Sequence, residues 1–261
     1  MKYGLREVSD RPCSPRSNGF QCALTLCLAA CTAIARIHRV TSGWGTIEYG
    51  TPVAGQVIGG RWKPAQYWYK KSIYSDVMAS CGAGGTCFVK NDMPLAFQGT
   101  VTITSYAFAS GKSTVLATKS VSLAAGPGVT EWFNVTLPAD PTAEILTAVV
   151  SYKSEDSGET EVWSDNLIPL TAPAKMALPK AKVTFTVAPA ANADGTIDIS
   201  VTTDKVAVYV TLTTLANGRF SDNAFLLLPT KPMTVQFVPF GELDTAKLRS
   251  SLRVEHVASY Q

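Results

Sequence analysis

Two histidines, His38 and His256, stand in a chain of 261 residues, so imidazole-based metal binding or nucleophile activation has little material to work with. The carboxylates offer more. Asp165 and Asp222 lie in near copies of one tetrapeptide, Trp163-Ser164-Asp165-Asn166 and Phe220-Ser221-Asp222-Asn223. Each copy is followed by a short apolar run and then by Pro and Lys. General acid–base work needs an acid or imidazole partner within hydrogen-bond reach, and neither Asp has one nearby in sequence. Asp and Asn accept backbone hydrogen bonds and tolerate unusual dihedrals. Both copies are therefore expected to be corner motifs: Trp163 or Phe220 is a buried anchor, and Asp165, Asn166, Asp222 and Asn223 redirect the chain through bonds to local backbone. No catalytic role is assigned to either Asp. The stretch "SEDSGETE", Ser154 to Glu161, carries four carboxylates that could suggest calcium binding or acid catalysis. Ser157-Gly158 at its centre reads instead as a solvated hairpin tip.

Six cysteines fall into two groups. Cys81 and Cys87 flank a Gly-rich loop, "CGAGGTC", which can close as a disulfide if the strands bring the two Cα atoms within about 4.4–6.8 Å. Cys13, Cys22, Cys27 and Cys31 lie near the amino end. Cys27 and Cys31 share a helical spacing, but no second Cys/His pair follows at zinc-finger distance. No metal or other cofactor is expected. Net charge is 23 − 20 = +3 with no basic stripe, which disfavours nucleic acid as a partner. With 46% hydrophobic and 16% charged residues the chain has ample material for packed cores.

The elements that must position these residues follow from hydrophobic period. The run "CALTLCLAACTAIA", residues 22–35, is shorter than the roughly 20 residues of a membrane span, and no membrane partner is expected. Basic residues precede it and Ala33-Ile34-Ala35 has a small-x-small pattern, so residues 1–43 read as a signal-like or a non-native segment. Pro64 suits a first helical turn, and Trp62, Tyr69 and Ile73, with Ala65 or Gln66 between, recur near the helical period. From Val77 the period becomes two. Val115, Val121 and Leu123 share one parity, as do Val129, Phe133, Val135 and Leu137, and later runs repeat the rule up to Val206, Val208, Val210 and Leu212. Val101 and Ile103 fall on one parity and Tyr106 and Phe108 on the other, which predicts a bulge between them. Turn signals such as Asp156-Ser157-Gly158 and Asn217-Gly218 separate the runs. Many short alternating strands with regular turns predict antiparallel sandwiches. Residues 171–182, "TAPAKMALPKAK", lack strand period and read as a linker.

Three stretches together resemble a known family. "WGTIEYG" (Trp44 to Gly50), "GRWKPAQYWYKK" (Gly60 to Lys71) and "GRFSDNAFLL" (Gly218 to Leu227) look like the carboxy-terminal part of β-mannosidases of glycoside hydrolase family two. The resemblance implies a mainly β fold: two immunoglobulin-like antiparallel β-sandwiches preceded by a remnant of the last helix of a (β/α)8 barrel. Its boundaries are residues 1–43 for the amino-terminal segment, 44–76 for the barrel remnant, 77–171 for the first sandwich and 172–261 for the second. Two departures stand out. "TPVAGQVIG", Thr51 to Gly59, interrupts the family's run from Tyr to Gly-Arg-Trp-Lys, and residues 1–43 stand where the barrel belongs. A retained intron and a truncated gene model would explain both, and a lineage-specific insertion in the last barrel loop is the other reading of Thr51 to Gly59.

The reaction implied by the resemblance is retaining hydrolysis of terminal non-reducing β-D-mannose residues in glycans, without a metal. Such chemistry needs two carboxyl groups about 5–5.5 Å apart. In the resembled family both glutamates lie upstream of anything matching this chain, and Glu48 corresponds to neither. The expectation is a fragment with a structural role, inactive alone, whose partner is the missing catalytic barrel and, for the parent, mannose-containing glycans. Trp44 is the one candidate substrate-binding residue, as an aromatic wall of the sugar site; barrel-rim packing is its other reading. A secretory route, lysosomal or extracellular, is expected, with Asn134 of the sequon Asn134-Val135-Thr136 facing solvent and glycosylated. The alternative is an independent carbohydrate- or protein-binding pair of sandwiches. Exposed coplanar aromatics on one sheet face would favour it, whereas an apolar surface around Trp62, Tyr67 and Tyr69 would favour the fragment.

Overall fold

A computed structural model describes residues 61–72 and 74–261. Residues 1–43, Trp44, Glu48, the insertion Thr51 to Gly59 and the four amino-terminal cysteines lie outside the described residues, so the expectations placed on them carry no structural account here.

The described chain opens with helix α1 (Pro64–Ser72). Pro64 starts it where a missing N–H costs nothing, and Lys70 and Lys71 in the last turn suit the negative end of its dipole. Its buried residues are Tyr67, Tyr69 and Ser72. The period-based face misses Tyr67, because Trp62 precedes the helix rather than belonging to it.

The first sandwich pairs a three-stranded sheet with a four-stranded one, both antiparallel. The smaller sheet runs β1–β2–β5, with β1 (Val77–Cys81), β2 (Thr86–Asn91) and β5 (Val129–Asn134). The larger runs β4–β3–β6–β7, with β3 (Phe97–Ala107), β4 (Ser113–Leu123), β6 (Glu144–Lys153) and β7 (Thr160–Pro169). Alternating apolar residues such as Val101, Ile103, Ala148 and Val150 are fully buried between the sheets. A bulge does sit in the expected region, opposite Ile103 and Thr104, but the extra residue is Leu116 on β4. It flips the parity of everything before it. Val115 is consequently exposed, while Val121 and Leu123 are buried.

The second sandwich has a sheet β11–β13–β9–β8 and a facing sheet β12–β10–β14. These strands are β8 (Val183–Val187), β9 (Ile197–Thr203), β10 (Ala207–Thr213), β11 (Gly218–Phe220), β12 (Phe225–Leu227), β13 (Met233–Pro239) and β14 (Arg253–Glu255). A short helix α2 (Thr245–Ser251), whose first turn is capped by the Asp244 carboxylate, seals one end with the buried Leu248. The architecture is mainly β and immunoglobulin-like, as expected.

Residues 171–182 do not behave as a loose linker. Pro173–Lys175 form a 3-10 turn and Met176 is only 4% exposed. Met176 packs with Phe108 and Ile145 of the first sandwich and Val206 and Val208 of the second, in one apolar cluster. The Gln261 side chain donates to the carbonyls of Pro173 and Met176, at 2.8 and 3.0 Å. A methionine's flexible stem suits such an irregular gap.

Candidate functional site

The two tetrapeptide copies meet different fates. Copy two ends β11, which pairs with β13 so that Phe220 lies opposite Phe237. Gly218 is required for that approach: a Cβ there would sit 2.4 Å from the Phe237 ring and 2.5 Å from the Val238 carbonyl oxygen. Phe220 is 5% exposed and meets Phe237 edge-on, ring centroids 5.6 Å apart. Asn223 then acts as a side-chain substitute for a strand residue. Its Oδ1 accepts from the Leu212 N–H at 2.7 Å and from the Ala224 N–H at 3.0 Å, and its Nδ2 donates to the Leu212 carbonyl at 2.8 Å. Leu212 belongs to β10, on the opposite sheet, so Asn223 ties the sheets together. Ala224 follows with φ of +55°, a left-handed turn that sends the chain across into β12.

Arg219, Phe220 and Asp222 also grip helix α1 and its approach. Arg219 places its guanidinium 4.6 Å from the centroid of the Trp62 ring. The Phe220 N–H donates to the Tyr67 hydroxyl at 3.0 Å. Asp222 Oδ2 takes an ion pair from Lys71 Nζ at 2.5 Å, while its Oδ1 accepts from the Asn223 N–H at 2.7 Å. Tyr67 and Lys71 are four apart, on one helix face. Tyr67 is 2% exposed and belongs to the core of the second sandwich. Burial pushes its hydroxyl above the ordinary phenol range, and the Phe220 N–H and Arg219 pull it partly back. The cation over the indole contributes about 0.5–2 kcal/mol, whereas the Lys71–Asp222 pair, with partly exposed side chains, is worth about 0–1 kcal/mol. Sequence reasoning missed Trp62, Tyr67, Lys71 and Arg219 as a set. The one trace in sequence is that aromatic, aromatic and cation at Trp62, Tyr67 and Lys71 are matched by cation, aromatic and acid at Arg219, Phe220 and Asp222, a match that does not say that the two stretches meet.

Copy one is not a corner. Residues 163–166 lie inside β7, where Ser151 pairs with Val162 and Val150 with Ser164, leaving Trp163 as the extra residue of a bulge. Trp163 is not a buried anchor either: it is 37% exposed and touches Phe97 and Tyr152 edge-on. Asn166 is buried and donates to the Ala79 carbonyl of β1 at 3.2 Å, again reaching from one sheet to the other. Asp165 makes no turn. Crowding on its flank holds its carboxyl above the usual range, with Lys71 drawing it down and Asp222 pushing it up. Of the two Asp residues only Asp222 is seen paired with Lys71, and this pair includes no nucleophile and no histidine.

Cys81 and Cys87 are directly opposite in the β1–β2 register and are joined by a disulfide, Cα atoms 3.9 Å apart. The acidic stretch caps the β6–β7 hairpin: the Ser154 N–H donates to the Glu159 carbonyl and Gly158 takes φ of +69°. Glu161 accepts from the Tyr152 and Ser157 hydroxyls. Among the described residues no cluster of three or more His, Cys, Asp or Glu side chains could hold a metal, and no helix is long and apolar enough to cross a membrane. Asn134 ends β5 with its residue exposed. The aromatics Phe88 and Trp132 on the outer face of this sheet cross at 50° and are not coplanar.

Residues 178–260 match the family model Ig_mannosidase, an Ig-fold domain. Among solved structures, a β-D-mannosidase from Dictyoglomus thermophilum aligns over 76% of this chain and 23% of its own length, at 18% identity and a TM-score of 0.53. An exo-chitosanase from Amycolatopsis orientalis, in complex with PNP-beta-D-glucosamine, aligns over 74% of this chain and 26% of its own, at 21% identity and a TM-score of 0.49. The chain spans about a quarter of the length of both enzymes. No curated protein matches it.

Proposed function

We propose that this chain, whose residues 178–260 form an Ig-fold domain of the mannosidase type, is over its described length the carboxy-terminal part of a β-mannosidase. Its two sandwiches hold the terminal helix of the catalytic barrel, and it supplies no catalytic carboxylate. The parent reaction is retaining hydrolysis of terminal β-D-mannose residues. The observation that carries the reading is the grip on α1. Trp62, Tyr67 and Lys71 lie in the stretch that resembles the end of the barrel, and Arg219, Phe220 and Asp222 each engage one of them. A helix held by a cation, a backbone donor and a carboxylate from one strand end is fixed in rotation as well as position. The bare apolar surface around Trp62, Tyr67 and Tyr69 expected of a fragment is not found, because Tyr67 and Tyr69 are buried and Trp62 packs against the core of the second sandwich, so the reading rests on the grip alone.

Purified full-length protein should release no 4-nitrophenol from 4-nitrophenyl β-mannoside above a buffer control. Turnover abolished by Glu48→Gln would overturn the proposal and make the chain a reduced enzyme. In the same preparation, Tyr67→Phe should lower the thermal midpoint by removing the acceptor for the buried Phe220 N–H, a loss of about 1–3 kcal/mol. An unchanged midpoint would show that the grip on the helix holds nothing.

A further inference from the structure

We propose that the exposed aromatic pair Phe88–Trp132 is a platform for an N-linked glycan carried on Asn134. Trp132 is 47% exposed, although strand β5 buries much of its opposite face, and it lies against Phe88 with ring centroids 5.3 Å apart. The register places Phe88 opposite Trp132 and Thr86 opposite Asn134, so the two aromatics and the asparagine occupy one face of one sheet. Asn134 is two residues beyond Trp132, which sets their Cα atoms about 6.5–7 Å apart along the strand. Asn134, Val135 and Thr136 complete an acceptor sequon, and both Asn134 and Thr136 are exposed. A β-linked N-acetylglucosamine leaving Asn134 along the sheet face brings its apolar C–H face over the indole. The occupant of the patch is thus specified by the chain itself, at a spacing from which a first sugar reaches it.

Attachment forms a bond between Asn134 Nδ2 and C1 of the first N-acetylglucosamine. The C1–oxygen bond to a lipid pyrophosphate donor breaks, the lipid pyrophosphate leaves, and the amide gives up one proton; the host's oligosaccharyl transferase supplies the catalysis. This needs the secretory pathway, an oxidising route that the disulfide on the same sheet fits. Cys87 is the register partner of Phe133, between Trp132 and Asn134, so the covalent link ties the neighbouring strand β1 to the β2 residue that lies beside the platform. The inference stands independently of the parent enzyme's substrate.

The test sends the full chain through the yeast secretory pathway behind a yeast leader. Peptide mass spectrometry should find Asn134 occupied. Three forms are then melted: intact, trimmed by endoglycosidase H to a single N-acetylglucosamine, and stripped by peptide N-glycosidase F, which leaves aspartate at position 134 and is therefore read against unglycosylated Asn134→Asp. The first two should melt together, with the stripped form lower by about 2–4 °C, the shift that a contact of aromatic-pair strength makes in a chain of this size. In Trp132→Thr, an exposed position that tolerates change, all three should melt together. A bare Asn134 on secreted protein overturns the proposal. So does a trimmed form as labile as the stripped one, or an undiminished drop in Trp132→Thr.

Discussion

Trp163–Asn166 and Phe220–Asn223 share Ser-Asp-Asn, and the structure gives the Asn one common use and the aromatic two different ones. In each sandwich the Asn crosses from one sheet to the backbone of the other, Asn166 to Ala79 and Asn223 to Leu212. Asp222 forms an ion pair with Lys71 of the helix, whereas Asp165 feels that lysine only at longer range. The aromatic differs. Phe220 ends a three-residue strand and is driven into the core when the chain turns away, whereas Trp163 sits in a ten-residue strand whose pairing with β6 resumes on either side. The bulge that absorbs the extra residue aims the indole outward. A short motif can therefore set a hydrogen bond without setting a backbone path. The path is decided by whether strand pairing continues past it.

Satisfaction of the polar groups differs too. In copy two Ser221 Oγ accepts from the Gln236 N–H at 2.9 Å, and Asn223 uses both ends of its amide. In copy one Ser164 Oγ and Asn166 Oδ1 are buried without a hydrogen-bond partner among the described residues. Copy two is the completed version, and copy one holds its sheets with a single donor.

The largest effect that separates the copies is expected at the aromatic. Phe220→Ala should cost about 3–5 kcal/mol, the range for emptying a core aromatic site. Trp163→Ala should cost about 1–2 kcal/mol, because a ring that is 37% exposed loses two edge contacts and little else. Urea melts at one pH measure both, and equal costs would break the comparison.

Next comes the asparagine. Asn223→Ala leaves the Leu212 N–H and carbonyl of a buried strand unpaired, for a cost of about 2–4 kcal/mol when each orphan is charged at the usual 1–3 kcal/mol and some relaxation is allowed. Asn166→Ala removes one bond, to the Ala79 carbonyl, and should cost about 1 kcal/mol. If Asn166→Ala were the costlier change, the inter-sheet tie would matter most in the sandwich that meets β7, and copy one would be the primary motif.

Much of this fold was legible in sequence, because alternation of residues such as Ile197, Ile199 and Val201 is a direct image of a sheet with one buried face. The Phe220 corner was legible for a local reason: Asn217-Gly218 stops one strand immediately before it, and an apolar run begins the next. Copy one looked identical because its nearest turn signal, Ser157-Gly158, lies five residues upstream of Trp163, far enough for a strand to be under way. Val115 was misplaced by the single extra residue at Leu116, since one insertion inverts every parity on one side of it. The grip on α1 was illegible. Its partners are separated by some 150 residues, as in the Lys71–Asp222 bond, and no local pattern encodes which helix a strand end will meet.

The smallest effect is the sharpest. Ser164 and Ser221 occupy the same place in the two copies, and a buried hydroxyl without a partner keeps its desolvation cost while returning nothing. Ser164→Ala removes that cost and nearly preserves shape, so it should leave stability unchanged or raise it by about 1 kcal/mol. Ser221→Ala deprives the Gln236 N–H of its acceptor and should lower stability by about 1 kcal/mol, at a half-buried site where water can replace the lost bond in part. The two substitutions are the same chemistry in the same tetrapeptide, and opposite signs in calorimetric melts would follow only from the difference in pairing. A loss at Ser164 as large as that at Ser221 would show that its hydroxyl has a partner, and copy one would then be as complete as copy two.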